Sequence, residues 1–180
     1  GRTIKMYLVD GTPNGVLTAE IMNWTGKVIS CPRPKLAKLA SRADAKRTGV
    51  YFLVGDDPDD PSRERIYIGE TDDVFGRLAA HEKDERRDFW VRTVFVTSKD
   101  ENLTKSHTLY LESRLIKIAR EAGRATIDNA TSPTKYLPES DVSDMEYFLS
   151  QVKLILPVLG FVFGGFKFEA QHAWSGRSVR

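Results

Sequence analysis

Two spacings of apolar residues divide the chain. Residues 3–9 have strand-like composition and run into the turn-dense Asp10-Gly11-Thr12-Pro13-Asn14-Gly15, after which residues 16–22 form a second strand pairing back on the first. A third short strand, 26–30, precedes Pro32 and Pro34, which open a helix at about residue 35 with Leu36, Leu39 and Ala40 on its inner side. Val50, Phe52 and Val54 alternate with Tyr51 and Leu53, and Ile66 and Ile68 with Tyr67 and Gly69. That alternation predicts two strands joined as an antiparallel hairpin across the Asp- and Pro-rich loop 56–64, with a third antiparallel strand over 90–98. Register decides whether Tyr51 and Tyr67 share a face.

Helical spacing takes over between and after these strands. Thr71-Asp72-Asp73 supplies an N-cap and acids at the positive end of a helix reaching about Lys83, with Arg77 and His81 four apart on one face. Gly76 costs that helix about 1 kcal/mol relative to alanine, which suits a place where backbone comes close to the sheet or a ligand. A longer helix over 103–122 ends at Gly123, and Glu112 sits in the middle of its apolar face among Leu109, Leu115, Ile116 and Ala119. A carboxylate there needs a cation, a metal or strong donors, or else a proton. His107 points almost the opposite way, toward the surface. Thr126 to Thr131 reads as a polar loop and 131–140 as turns; a last helix starts near Ser143, with Ser143 and Glu146 at capping-box spacing, and Pro157 and Gly160 mark its end. Phe161-Val162-Phe163 and Phe166-Lys167-Phe168 flank Gly164-Gly165 as a hairpin, before a frayed tail with Arg177 and Arg180 available for weak contacts.

These elements predict an α/β (α+β) fold: a small three-stranded antiparallel sheet flanked by helices over 47–131, an N-terminal accessory β/α segment over 1–46, and a C-terminal helix, hairpin and tail over 132–180 packed on the core. A length of 180 residues suits one core domain, and ordinary apolar and charged fractions exclude a disordered or fibrous class. A net charge of +2 does not imply nucleic acid, but Lys27, Arg33, Lys35, Lys38, Arg42, Lys46 and Arg47 face Asp44 alone in their segment, and Lys35, Lys38 and Arg42 fall at helical spacing where they can lie along phosphates. The lone Cys31 excludes an internal disulfide and a multi-cysteine zinc site, and points to a reducing compartment. No apolar run reaches the roughly 18 to 20 residues of a membrane span and no signal-peptide core is present, so the expected location is cytoplasmic, without a membrane partner.

Gly49-Val50-Tyr51, Tyr67-Ile68-Gly69, Arg77 ten residues after Tyr67, His81 four beyond it, Glu112 on an apolar helical face and Asn129 together form an ordered set. That set resembles the GIY-YIG nuclease family over roughly residues 47–131, departing at Val50 where the family has isoleucine. The resemblance implies hydrolysis of DNA phosphodiester bonds with one divalent ion, Mg2+ or Mn2+, on double-stranded rather than single-stranded DNA. Under it, one of the two tyrosines orients or deprotonates the attacking water, Tyr51 being the choice, while the other, Tyr67, positions the water or a phosphate; the sequence leaves open which is the base, and His81 and Arg77 are the helpers that lower a phenol's pKa. Arg77 also neutralises phosphoryl oxygens through its planar fork, Glu112 anchors the ion, Asn129 donates to the scissile region or supports Glu112, and Lys105 reaches a phosphate. A nuclease of this size has few surfaces for base readout, so the expectation is either low specificity or specificity from a homodimer or an additional DNA-binding partner. A DNA-binding module of the same fold that has lost cleavage is the alternative.

Overall fold

The computed structural model describes residues 1–131 and 136–162. Seven strands form one mixed sheet in the order β1-β2-β3-β6-β4-β5-β7: β1 (Ile4–Leu8), β2 (Leu17–Ile21), β3 (Gly26–Pro32), β4 (Gly49–Asp57), β5 (Asp60–Thr71), β6 (Arg92–Ser98) and β7 (Thr126–Ile127). The three strands expected at the centre are adjacent and antiparallel, but they are not a sheet by themselves. β3 pairs along all seven of its residues with β6, so the N-terminal strands continue the sheet, and β7 adds a short parallel strand beyond β5 where a polar loop was expected. The expectation of a small three-stranded sheet is therefore corrected to a mixed α+β fold built on seven strands. A three-stranded sheet would leave the outer edge of β6 open, and an apolar edge of that length must be paired or protected.

Local chemistry explains the other departures. The expected 56–64 loop shrinks to a turn at Pro58 and Asp59, because β4 and β5 pair out to Asp57 and Asp60 with a register shift at Asp56 and Asp57. The acids tie the hairpin down: Asp57 accepts from the Asp59 amide at 3.0 Å, from Thr126 Oγ1 at 2.7 Å and from Arg65 Nη2 at 2.9 Å, and these donors hold its carboxyl down at about 2. The helix expected at residue 35 is instead a 3-10 turn, Arg33–Leu39, followed by a second one at Ala43–Lys46.

Three α-helices complete the fold among the described residues: α1 (Val74–Glu82), α2 (Lys105–Ala122) and α3 (Glu139–Ile155). α3 starts after Pro138, so Ser143 and Glu146 lie inside it and do not cap it; Glu146 instead accepts from Tyr110 Oη and Arg114 Nε, each at 2.6 Å. His107 is half-buried and not on the open surface, because it closes a capping box with Thr104 at the start of α2. The part of the expected C-terminal hairpin from residue 163 onward, the tail with Arg177 and Arg180, and the turns at 132–135 lie outside the described residues. Among the described residues no helix is long and apolar enough to cross a membrane.

The sheet is covered on both faces, which is why β4 is apolar at consecutive positions. Val50, Phe52, Ile66, Ile68, Val94 and Val96 face α2 and α3 through Leu111, Leu115, Ile116, Phe148 and Val152. Tyr51, Leu53, Phe95 and Ile29 face α1 and the 3-10 turns through Val74, Leu78, Leu36 and Leu39. Each such fully buried side chain contributes about 1.5–3 kcal/mol of transfer free energy.

Candidate active site

Register places the two tyrosines together. Tyr51 pairs with Gly69 and Leu53 pairs with Tyr67, so both phenols project from the face that α1 covers, on a diagonal with ring centroids 6.1 Å apart. Gly69 is required there, because a Cβ at that position would lie 2.3 Å from the Tyr51 hydroxyl. The phenol thus occupies the space that any other residue would fill.

α1 brings His81 over the pair. Asp73 caps the helix by accepting from the Gly76 amide at 3.1 Å, and a Cβ on Gly76 would meet that same carboxylate at 2.6 Å. The glycine therefore serves the cap, neither the sheet nor a ligand. His81, buried two turns on, lies 2.8 Å from the Tyr51 hydroxyl through Nε2, with ring centroids 5.5 Å from both tyrosines. Burial, then the nearby Arg87 and Arg77, lower the imidazole to about 4, so the ring is neutral at pH 7. The Tyr51 phenol is raised far above its ordinary value, first by burial and then by Tyr67, despite the opposing pull of Arg77. It keeps its proton, and with the neutral ring protonated on Nδ1 the phenol donates to Nε2. The expectation that Arg77 and His81 lower the phenol's pKa is corrected accordingly: desolvation outweighs the one helpful charge.

Arg77 is exposed on the same helix, and its guanidinium makes no ion pair or hydrogen bond among the described residues. Arg87, which no motif in the chain singles out, is the more committed cation. It sits 3.8 Å above the Tyr67 ring, held by Asp128 through Nε at 2.8 Å, and Asp128 is shared with Arg65 Nη1 at 2.9 Å. The Glu85-Arg86-Arg87 run after α1 is the only sequence signal for it.

Glu112 approaches from α2. It is half-buried, has no ion-pair partner among the described residues, and is raised to about 7 by burial and by Glu70, with Lys105 pulling the other way. Its charge also adds to the raising of Tyr51, so the two groups share one electrostatic environment. Glu70 is already engaged by Lys105 Nζ at 2.6 Å and Thr108 Oγ1 at 3.0 Å. A single cation beside Glu112 would relieve both causes of its shift, so the donor chemistry fits a divalent ion. No group of three or more metal-ligating side chains occurs among the described residues, so such an ion would keep water or substrate oxygens in most of its shell, as Mg2+ commonly does.

The remaining expected residues fall elsewhere. Asn129 is used structurally: its Oδ1 accepts from the Ile68 amide at 3.1 Å and its Nδ2 donates to the Ile68 carbonyl at 2.7 Å. It pins the backbone between Tyr67 and Gly69. Lys35 and Lys38 both turn to Asp10, at 3.6 and 2.7 Å, and Arg42 pairs with Asp44 at 2.7 Å, so the lysines are not the free phosphate-facing row that their spacing suggested.

Comparisons with protein-family models, with curated proteins and with solved structures return no match. Any functional reading therefore stands on the chain's own residues. Of the six positions chosen by pattern, Tyr51, Tyr67, Arg77 and His81 lie on the α1 face of the sheet, whereas Glu112 comes from α2, which covers the opposite face, and Asn129 follows β7. The arrangement offers a neutral imidazole behind a phenol and a free guanidinium, with the Glu112 carboxylate linked to them through its charge on Tyr51.

Proposed function

We propose that the chain is a metal-dependent endonuclease that hydrolyses DNA phosphodiester bonds through a GIY-YIG-type site. What supports this reading most is the 2.8 Å contact from Tyr51 to a neutral His81 within reach of an unpaired Arg77. The Tyr51 oxygen, with its own proton directed to Nε2, has lone pairs free to accept from an attacking water. As the water attacks phosphorus its proton passes to the Tyr51 oxygen and the Tyr51 proton moves to Nε2, so His81 is the terminal acceptor and no free phenolate forms. Arg77 neutralises the charge that builds on the non-bridging oxygens, and Tyr67, fixed under Arg87, positions the water or the phosphate. Glu112 would hold the divalent ion, which supplies charge neutralisation at the leaving oxygen when bound. Asn129 keeps the Tyr67-Ile68-Gly69 backbone straight so that both phenols stay in register.

A second reading, a DNA-binding module without cleavage, is favoured by one observation: Tyr51 is 2% exposed, so water must reach its oxygen through a narrow approach. Plasmid nicking with Mg2+, Mn2+ or chelator separates the two. The nuclease reading expects metal-dependent nicking that falls at least about 100-fold in Tyr51→Phe, Arg77→Ala and Glu112→Ala. Nicking that survives chelation and all three changes defeats the site; DNA binding with no nicking under any metal selects the silent module.

A further inference from the structure

A cavity of about 550 Å3 lies on the α1 face of the sheet, where the two 3-10 turns meet the ends of β3 and β6. It is lined by Lys27, Arg42, Arg47 and Lys99 with one carboxylate, Asp44, and the hydroxyl-bearing Ser41 and Ser98. Four cations against one acid is a strong local imbalance in a chain whose net charge is only +2. Asp44 takes Arg42 through both of its oxygens, at 2.9 and 2.7 Å, and Lys27 at 2.9 Å, so one negative charge answers two cations. Arg47 spends one nitrogen on the carbonyls of Ser98 and Asp100 and has no carboxylate within ion-pair distance among the described residues. Lys99 reaches Glu20 only at 4.0 Å. The neighbouring Asp100 carboxylate is turned to the Ser98 hydroxyl, at 2.7 Å, and to Asn102.

We infer that this cavity binds a phosphate group, its oxyanion completing the charge that Asp44 leaves unbalanced. Its place in the fold names the source. Thr97, in its wall, pairs with Gly49, and Tyr51 follows two residues along β4 on the same face, about 7 Å away at strand rise. Arg47 joins the two regions, because its carbonyl accepts from the amide of Val74, the first residue of α1. A nucleic-acid strand crossing the layer of α1 and the 3-10 turns that covers this face would present backbone phosphate to the cavity and to Arg77, which is exposed on α1. The placement beside the tyrosines rests on the nuclease reading, whereas phosphate binding by the cavity does not.

The test uses the whole chain, with Lys99→Ala, the double variant Lys27→Met/Lys99→Ala, and Lys117→Ala on the exposed side of α2 as control. Inorganic phosphate is titrated against 15N-labelled protein, and a short duplex is titrated by fluorescence anisotropy at several salt concentrations. The expected result is saturable phosphate-dependent shifts at the Arg47, Ser98 and Lys99 amides that disappear in the double variant. Duplex affinity should fall about tenfold, with a salt slope shallower by about one for each lysine that touches a phosphate. Shifts with unchanged duplex affinity support the pocket and assign it to a free phosphate compound; reduced duplex affinity without shifts assigns it to backbone phosphate. No saturable shift, together with duplex binding equal in the double variant and the control, overturns the inference. Plasmid nicking by the same variants reads the tyrosine site separately, so failure of one reading does not disguise failure of the other.

Discussion

Replacing Glu112 with glutamine keeps the shape of the side chain and removes the charge that the fold resists. Its carboxyl titrates at about 7 in the folded chain against an ordinary value of 4.5, because burial and Glu70 both disfavour the anion. At about 1.4 kcal/mol per tenfold change in proton affinity, the folded state loses up to about 3 kcal/mol when Glu112 is fully ionised, less whatever solvent screening removes. The sign follows from the proton count. The folded chain holds the extra proton between about pH 4.5 and 7, so the penalty is absent below that window, grows as pH rises through it, and is complete above. Glu112→Gln should therefore be nearly neutral at pH 5, under about 1 kcal/mol, and stabilising at pH 8 in chelator by up to about 3 kcal/mol, roughly 6–12 °C in Tm for a domain of this size. His81 works in the opposite direction: its folded value of about 4 against 6.5 means that stability is lost as pH falls through that interval. The two slopes oppose each other in the wild type, so the variant is the informative protein, and its stability should rise with pH from 4 to 6.5. Urea denaturation followed by fluorescence of the buried Trp24 and Trp90 reads this directly. Mg2+ should stabilise the wild type at pH 8 and leave Glu112→Gln unmoved. A variant that is less stable than wild type at pH 8, or that differs from it equally at pH 5 and pH 8, would refute the argument that this carboxylate is held at a cost.

Two further outcomes follow from the same site. Gly69→Ala drives a methyl into the Tyr51 ring, whose hydroxyl and Cζ lie 2.3 and 2.4 Å from the new Cβ. It should cost about 1–3 kcal/mol in urea denaturation and abolish nicking while leaving Mg2+ binding intact, and a fully active, fully stable variant would show that the phenol has somewhere else to go. Arg87→Ala removes a charge that depresses His81, so the imidazole should titrate measurably above about 4 by NMR, with the acid limb of any nicking profile moving in step. An unmoved histidine would mean that burial and Arg77 set its protonation without Arg87.

Much of this arrangement was written into local pattern. Alternation along Val50 to Val54 and Ile66 to Gly69 fixed two strands, and the Asp73 cap and Gly123, which adopts φ 61° after α2, marked helix limits from residue type alone. The site's electrostatics were not legible, because they depend on partners far away in sequence. Asp10 draws in Lys38 from 28 residues off, and Arg87 meets Asp128 across 41 residues. The extent of the sheet was hidden for the same reason: nothing local in Val28, Ile29 and Ser30 says that they pair with Val96, Phe95 and Val94. A desolvated phenol likewise looks like an ordinary strand tyrosine until its covering helix is known. Asn129 was singled out by its place in an ordered set, but the set carries no information about which atoms its amide meets.

That amide imitates a main chain. The Asp128 nitrogen donates to the Ile66 carbonyl at 2.8 Å, and the next rung, on Ile68, is supplied by a side chain with both donor and acceptor in place. The sheet margin is thereby sealed two residues further along β5 than the pairing of β7 reaches, while the polypeptide is free to turn away. A side-chain plug of this kind denies an incoming extended peptide the rung between Tyr67 and Gly69, so the border strand that carries one of the two phenols is guarded against unwanted self-association.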